Sequence, residues 1–151
     1  MSRVFIGYGN YGIDGVDEEF IRFIFDITLG STQKTLDSEA GVIIADEEQI
    51  AKLNHRYRGK DQSTNVLSFT NTEMKGSYPT ESDDNYLGDV YICHPILQRE
   101  AEELKVSEKE RFAQLFVHGL LHLLGFDHED TVAAKAKEME VLEDRIVQLV
   151  M

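Results

Sequence analysis

From Phe112 to Leu124 the chain reads FAQLFVHGLLHLL, which is apolar on almost every side of a helix. Such a helix has no broad face to offer water, so other elements must enclose it. It belongs at the centre of the fold. Ser107-Glu108-Lys109-Glu110 ahead of it is a capping box, in which serine and glutamate side chains satisfy exposed helix N–H groups. Gly125 behind it is the residue best able to take the left-handed turn that ends a helix. With 151 residues, 42% of them hydrophobic, the chain is long enough to enclose one such core, and a single domain over residues 1–151 is expected.

The enclosing elements are read from shorter patterns. Val4–Tyr8 is a short strand, and Phe20, Ile21, Phe23, Ile24 and Ile27 have helical spacing between Asp17 and Gly30. Ala40–Ala45 is a β-branched run suited to a covered strand. Asp46-Glu47-Glu48-Gln49 is a second capping box, opening a helix to about His55. Val66–Phe69 and Leu87–Cys93 have strand pattern, and Asn71–Tyr86 between them, with Gly, Pro, Ser, Asn and Asp, reads as a long loop. Pro95 suits the first turn of a helix ending near Val106. A last helix from Thr131 puts Met139, Leu142, Ile146 and Leu149 on one stripe. Strands interleaved with helices, without a regular βαβ repeat, predict an α+β fold: a mixed sheet of about four strands and five to six helices.

The central helix also carries chemistry. In an α-helix, His118 and His122 lie about 40° apart around the axis and about 6 Å apart along it. Both imidazoles can meet one ion. After the turn at Gly125 the chain folds back, and His128 can supply a third nitrogen. Three neutral imidazoles leave a tetrahedral ion one position for water or substrate, the pattern of catalytic zinc. Nickel, cobalt or copper would also suit such donors. A lone histidine on an apolar helix is usually a packed core residue; three histidines around a glycine turn favour a metal.

The same spacing occurs in metzincin proteases, which place a glutamate directly after the first histidine as general base. Here that position is Gly119. The metal geometry is shared and the peptidase chemistry is not expected. His118-Gly119-x-Leu121-His122-Leu123-x-Gly125-Phe126-Asp127-His128 resembles instead the signature HGxLHLxGYDH of the YbeY family of bacterial endoribonucleases. Leu53-Asn54-x-x-Tyr57-Arg58-x-x-Asp61-x-x-Thr64-Asn65-Val66-Leu67-Ser68-Phe69 is similar to a second segment of that family, and Leu87-Gly88-Asp89-Val90 and Met139-Glu140 with Glu143 are similar to two more. The likeness runs from about Ala40 to the C-terminus. Phe126 stands where the family usually has tyrosine, and Thr70 where proline often follows.

What the resemblance implies is a metal-dependent, single-strand-specific endoribonuclease that matures ribosomal RNA, above all the 3′ end of 16S rRNA, and acts in ribosome quality control. Its partners would be single-stranded or ribosomal RNA and the ribosome or its assembly proteins, with no DNA and no membrane. In that family the residue matching Arg58 is the functionally important arginine. Arg56, Arg58 and Lys60 form a basic cluster, placed in a loop, within a chain of net charge −13. That overall charge repels a phosphate backbone, so a local basic site or a metal must attract RNA. His118, His122 and His128 are thus the expected ligands of one Zn2+, and Arg58 and Asp127 the candidate catalytic residues. Asp127 would orient an imidazole or carry a proton, although turns favour aspartate anyway. Asp89, after a glycine on an apolar strand, is a candidate to support the ligands. His55 reads as solvated, His94 as a strand-end residue before proline, and Ser68 lacks an adjacent base.

Two rival readings stand beside this one: a peptidase-like metallohydrolase, and a ribosome-associated RNA-binding module with a structural metal. The single Cys93 reads as a small buried strand residue in a reducing compartment. The absence of a long apolar segment predicts a cytoplasmic protein.

Overall fold

The capping signals open helices where they stand in the sequence. The computed structural model describes residues 3–8, 12–32, 37–74, 85–126 and 133–151. Within them the order is β1 (Arg3–Tyr8), α1 (Glu18–Ser31), β2 (Glu39–Ala45), α2 (Glu47–Arg58), β3 (Val66–Thr70), α3 (Asn71–Met74), β4 (Tyr86–Cys93), α4 (His94–Leu104), α5 (Glu108–Leu123) and α6 (Ala133–Val150). Asp17 accepts from the Phe20 N–H at 2.8 Å, Asp46 from Gln49 at 2.8 Å and Ser107 from Glu110 at 3.0 Å. Each is a side-chain cap on a first turn whose N–H groups have no partner within the helix.

The sheet order is β1-β2-β4-β3. β1 pairs with β2, and β2 with β4, in parallel; β3 pairs antiparallel to β4 and forms one edge. This is the expected single-domain α+β fold with a four-stranded mixed sheet. Strand residues alternate between two apolar layers. Val4, Val42, Ile44, Val90 and Ile92 meet α1, α5 and α6 in the larger core, whereas Ala45, Leu67, Phe69, Tyr91 and Cys93 meet α2 on the other face.

α5 packs against β3, β4, α1, α4 and α6, as an all-round apolar helix must. Phe112, Phe116, Leu120 and Leu121 are fully buried or nearly so. Burying such a side chain contributes about 1.5–3 kcal/mol, so this one helix anchors the core. Gly119 lets it approach the sheet: a Cβ there would lie 2.6 Å from Val90 Cγ1 and 3.0 Å from Ser68 Oγ.

Four expectations need correction. α2 runs through Arg58, so Arg56 and Arg58 occupy a helix's last turn rather than a loop. Gly59, at φ 69°, supplies the left-handed cap that ends the helix three residues beyond His55. Asn71–Met74 forms one helical turn inside the expected loop, and Tyr86 already belongs to β4; residues 75–84 of that loop lie outside the described residues. In α6, Met139 and Ile146 are buried as predicted, but Leu149 is 57% exposed and Val150 takes its place in the core. His94 opens α4 beneath the Glu108 carboxylate instead of ending the strand, and it is buried. The predicted start of the last helix at Thr131 falls outside the described residues.

Candidate metal and RNA-cleavage site

One turn of α5 aligns His118 and His122, and their Nε2 atoms lie 3.1 Å apart with the rings at 72° to one another. Two donors bound about 2.0–2.1 Å from a common ion would stand at about this separation. His118 Nδ1 lies 3.0 Å from Glu143 Oε1, on α6. A carboxylate accepting from Nδ1–H fixes the tautomer whose Nε2 lone pair faces His122, the arrangement usual behind metal-bound histidines. These residues fit a metal ion by donor type, spacing and orientation.

His128 and Asp127 lie outside the described residues, and within the described set no cluster of three or more potential ligands occurs. Gly125, at φ 98°, begins the turn that leads toward them. Glu143 is the contributor that the sequence did not single out for this role. Its signal was available: Met139 and Ile146 place one face of α6 on the core, and Glu143 neighbours both at helical spacing.

The histidines form one wall of a cleft of about 620 Å³ that is also lined by Arg58, Asn65, Val66, Leu67, Ser68, Thr70, Glu73, Leu123 and Gly125. Arg58 enters from the opposite side. Its Nη2 donates to the Ser68 carbonyl at 2.9 Å and to Glu73 Oε2 at 3.0 Å, and its guanidinium carbon lies 4.9 Å from the Phe69 ring centre. Carbonyl, carboxylate and ring together hold the cation at the mouth of the cleft. Arg56 lies 5.2 Å from the Tyr57 ring centre and is not among the residues that line the cleft; nor is Lys60. The basic cluster thus delivers one cation to the cleft wall.

Ser68 donates its hydroxyl to the Gly119 carbonyl at 3.2 Å, which ties β3 to the helix of the histidines. Asn65 is held in turn by Glu100, which Arg111 grips through Nε and Nη2. Asp89 does not support the ligands. It neighbours Val90, which faces α5, and so points to the opposite side of the sheet, where its Oδ1 accepts from the Tyr86 hydroxyl. Burial raises its pKa, and that hydrogen bond partly opposes the shift. His55 is exposed and pairs with Asp61.

Residues 13–150 match the family model described as Endoribonuclease YbeY. An Endoribonuclease YbeY of Acinetobacter baylyi is 43% identical over 127 residues, covering 84% of this chain and 79% of the relative. One of Xanthomonas campestris pv. campestris is 47% identical over 111 residues, covering 74% and 67%. A solution structure of a Thermotoga maritima protein superimposes with a TM-score of 0.62 at 27% identity, covering 99% of this chain and 89% of the other.

Proposed function

This chain belongs to the YbeY endoribonuclease family, and from that premise we propose that it is a zinc-dependent endoribonuclease cleaving single-stranded RNA during ribosomal RNA maturation, at the 3′ end of 16S rRNA. The observation that carries this reading is the meeting of the His118–His122 pair and the Arg58 guanidinium on the walls of one cleft. His118, His122 and His128 would hold the ion, with nickel or another divalent metal as a substitute. When bound, such an ion supplies Lewis acidity and lowers the pKa of water.

The remaining work falls to the chain's own side chains. Glu143 orients the His118 ring. Arg58 binds the scissile phosphate and stabilises the charge that develops on it, since guanidinium offers parallel donors to two phosphate oxygens. Both of its bonds to protein acceptors use Nη2, which leaves Nε and Nη1 for that task. Asp127, beside His128, is the proposed proton carrier. Work on rRNA implies a cytoplasmic location and contact with the ribosome or its assembly proteins. No helix among the described residues is long and apolar enough to cross a membrane.

Two observations weigh against the peptidase reading. Gly119 has no room for the glutamate a metzincin would use, because Val90 and Ser68 close over it. Arg58 also covers the Ser68 carbonyl with which a substrate strand would pair. The test is cleavage of precursor small-subunit RNA by wild type, His122→Ala and Arg58→Glu, with metal content and circular dichroism measured on each. His122→Ala should lose both metal and cleavage. Arg58→Glu should lose cleavage by at least about 100-fold, the size expected of a group stabilising developing charge, while keeping metal and fold. Loss of metal from Arg58→Glu, or cleavage of casein in preference to RNA, would contradict the proposal.

A further inference from the structure

The sheet ends on β3, and the side of β3 turned away from β4 borders the cleft. The phase of that edge follows from two hydrogen bonds. Cys93 N–H donates to the Asn65 carbonyl at 2.9 Å, and in an antiparallel pair alternate residues bond to the partner strand. Asn65, Leu67 and Phe69 therefore bond inward, and Val66 and Ser68 turn their N–H and C=O groups outward. The Ser68 carbonyl confirms the phase, since it accepts from Arg58 on that outer side. No other strand pairs with this edge among the described residues.

An open strand edge in a soluble protein is normally blocked, because it invites another strand. Here the block is selective. Arg58 masks an acceptor and brings positive charge, while among the described residues the outward N–H groups of Val66 and Ser68 meet no backbone acceptor. With the Ser68 carbonyl masked, the edge presents two N–H donors and the Val66 carbonyl beside a guanidinium, a set richer in donors and positive charge than the even alternation a peptide needs, and suited to an anionic chain. Outward N–H groups recur every second residue, about 6.6–6.8 Å along the strand. A cleft of about 620 Å³ has the dimensions of a small-molecule site and suits one strand passing through, not a double helix.

We infer that single-stranded RNA lies extended along the open edge of β3, with the N–H groups of Val66 and Ser68 donating to its phosphate oxygens and Arg58 leaving Glu73 for the phosphate beside them. The inference rests on the endoribonuclease reading and adds the surface that selects a single strand. The backbone of β3 binds and positions; it is not itself catalytic.

Val66 is the first residue of an edge strand and its N–H faces outward, so proline is tolerated there. Val66→Pro removes one donor, and Val66→Ala is its reference, because it loses the side chain and keeps the N–H. The KM of Val66→Pro for a single-stranded oligoribonucleotide should be about tenfold or more above that of Val66→Ala, as expected for a hydrogen bond to a charged oxygen. Equal KM values for two folded variants would overturn the inference. A second measurement serves if the proline variant does not fold: amide-resolved hydrogen exchange of wild type with a 2′-O-methyl oligonucleotide as an uncleaved probe. The Val66 and Ser68 amides should exchange at least about tenfold more slowly when bound. Unchanged exchange at saturation, or protection by an extended peptide and not by the oligonucleotide, would overturn it. A wild type that cleaves no RNA would sink the underlying reading instead, so the two failures are distinct.

Discussion

Arg58 is held by an acceptor that the proposed phosphate contact requires it to release. Its bond to Glu73 joins two side chains that are each about two-fifths exposed, at 38% and 40%. Exposed pairs of this kind contribute about 0–1 kcal/mol, so a phosphate can displace the carboxylate at small cost. Glu73→Gln should therefore lower the KM for single-stranded RNA by up to about fivefold, the equivalent of that energy, with little change in kcat. Steady-state kinetics check this, and a raised KM would show that Glu73 instead holds Arg58 where the substrate needs it. Glu143 makes a different prediction. Removing the carboxylate behind a ligating histidine typically costs 10–100-fold in metal affinity. Glu143→Ala should show about that loss in a chelator competition, and Glu143→Gln, which keeps an oxygen acceptor, a smaller one.

At the scale of elements, the sequence was most legible where side chains act on their own backbone. Asp46 and Ser107 cap helices as predicted, and Asp17 caps α1 in the same way, because a cap is a local hydrogen bond and needs no knowledge of the fold. The strands were legible through their apolar runs. Less legible was the end of α2, since polar residues continue the helix as far as the cap at Gly59 without an apolar stripe to mark it. The role of Asp89 was not readable, and the α6 stripe placed Glu143 at the core without naming its partner, because each role depends on which face of an element meets which neighbour. In the sequence, glycine at 119 signals only a missing glutamate; its reason is the contact of α5 with Val90, which no local pattern reveals. Gly119→Ala should gain up to about 1 kcal/mol of helix propensity but lose about 1–3 kcal/mol to overpacking. Denaturant melts should show net destabilisation, and Val90→Ala in the same chain should recover part of it.

The whole molecule carries 28 acidic against 15 basic residues, yet the chemistry proposed for it handles a polyanion. Among the described residues that line the cleft, Arg58 is the only Lys or Arg, so RNA is met by few cations. With one to three phosphate contacts, log K against log salt should fall with a slope of only about −0.7 to −2, and Arg58→Ala should make it shallower by about 0.7. A steep slope in a fluorescence-anisotropy titration would reveal a basic surface beyond Arg58, Arg56 and Lys60. The bond between His118 and Glu143 has a further consequence in time. A ribosome making this chain releases β3, Arg58 and both α5 histidines before it releases Glu143, so the central helix and the His118 imidazole both wait for α6, the one to be covered and the other to be anchored. Docking of α6 thus closes the core and locks the ring in a single event.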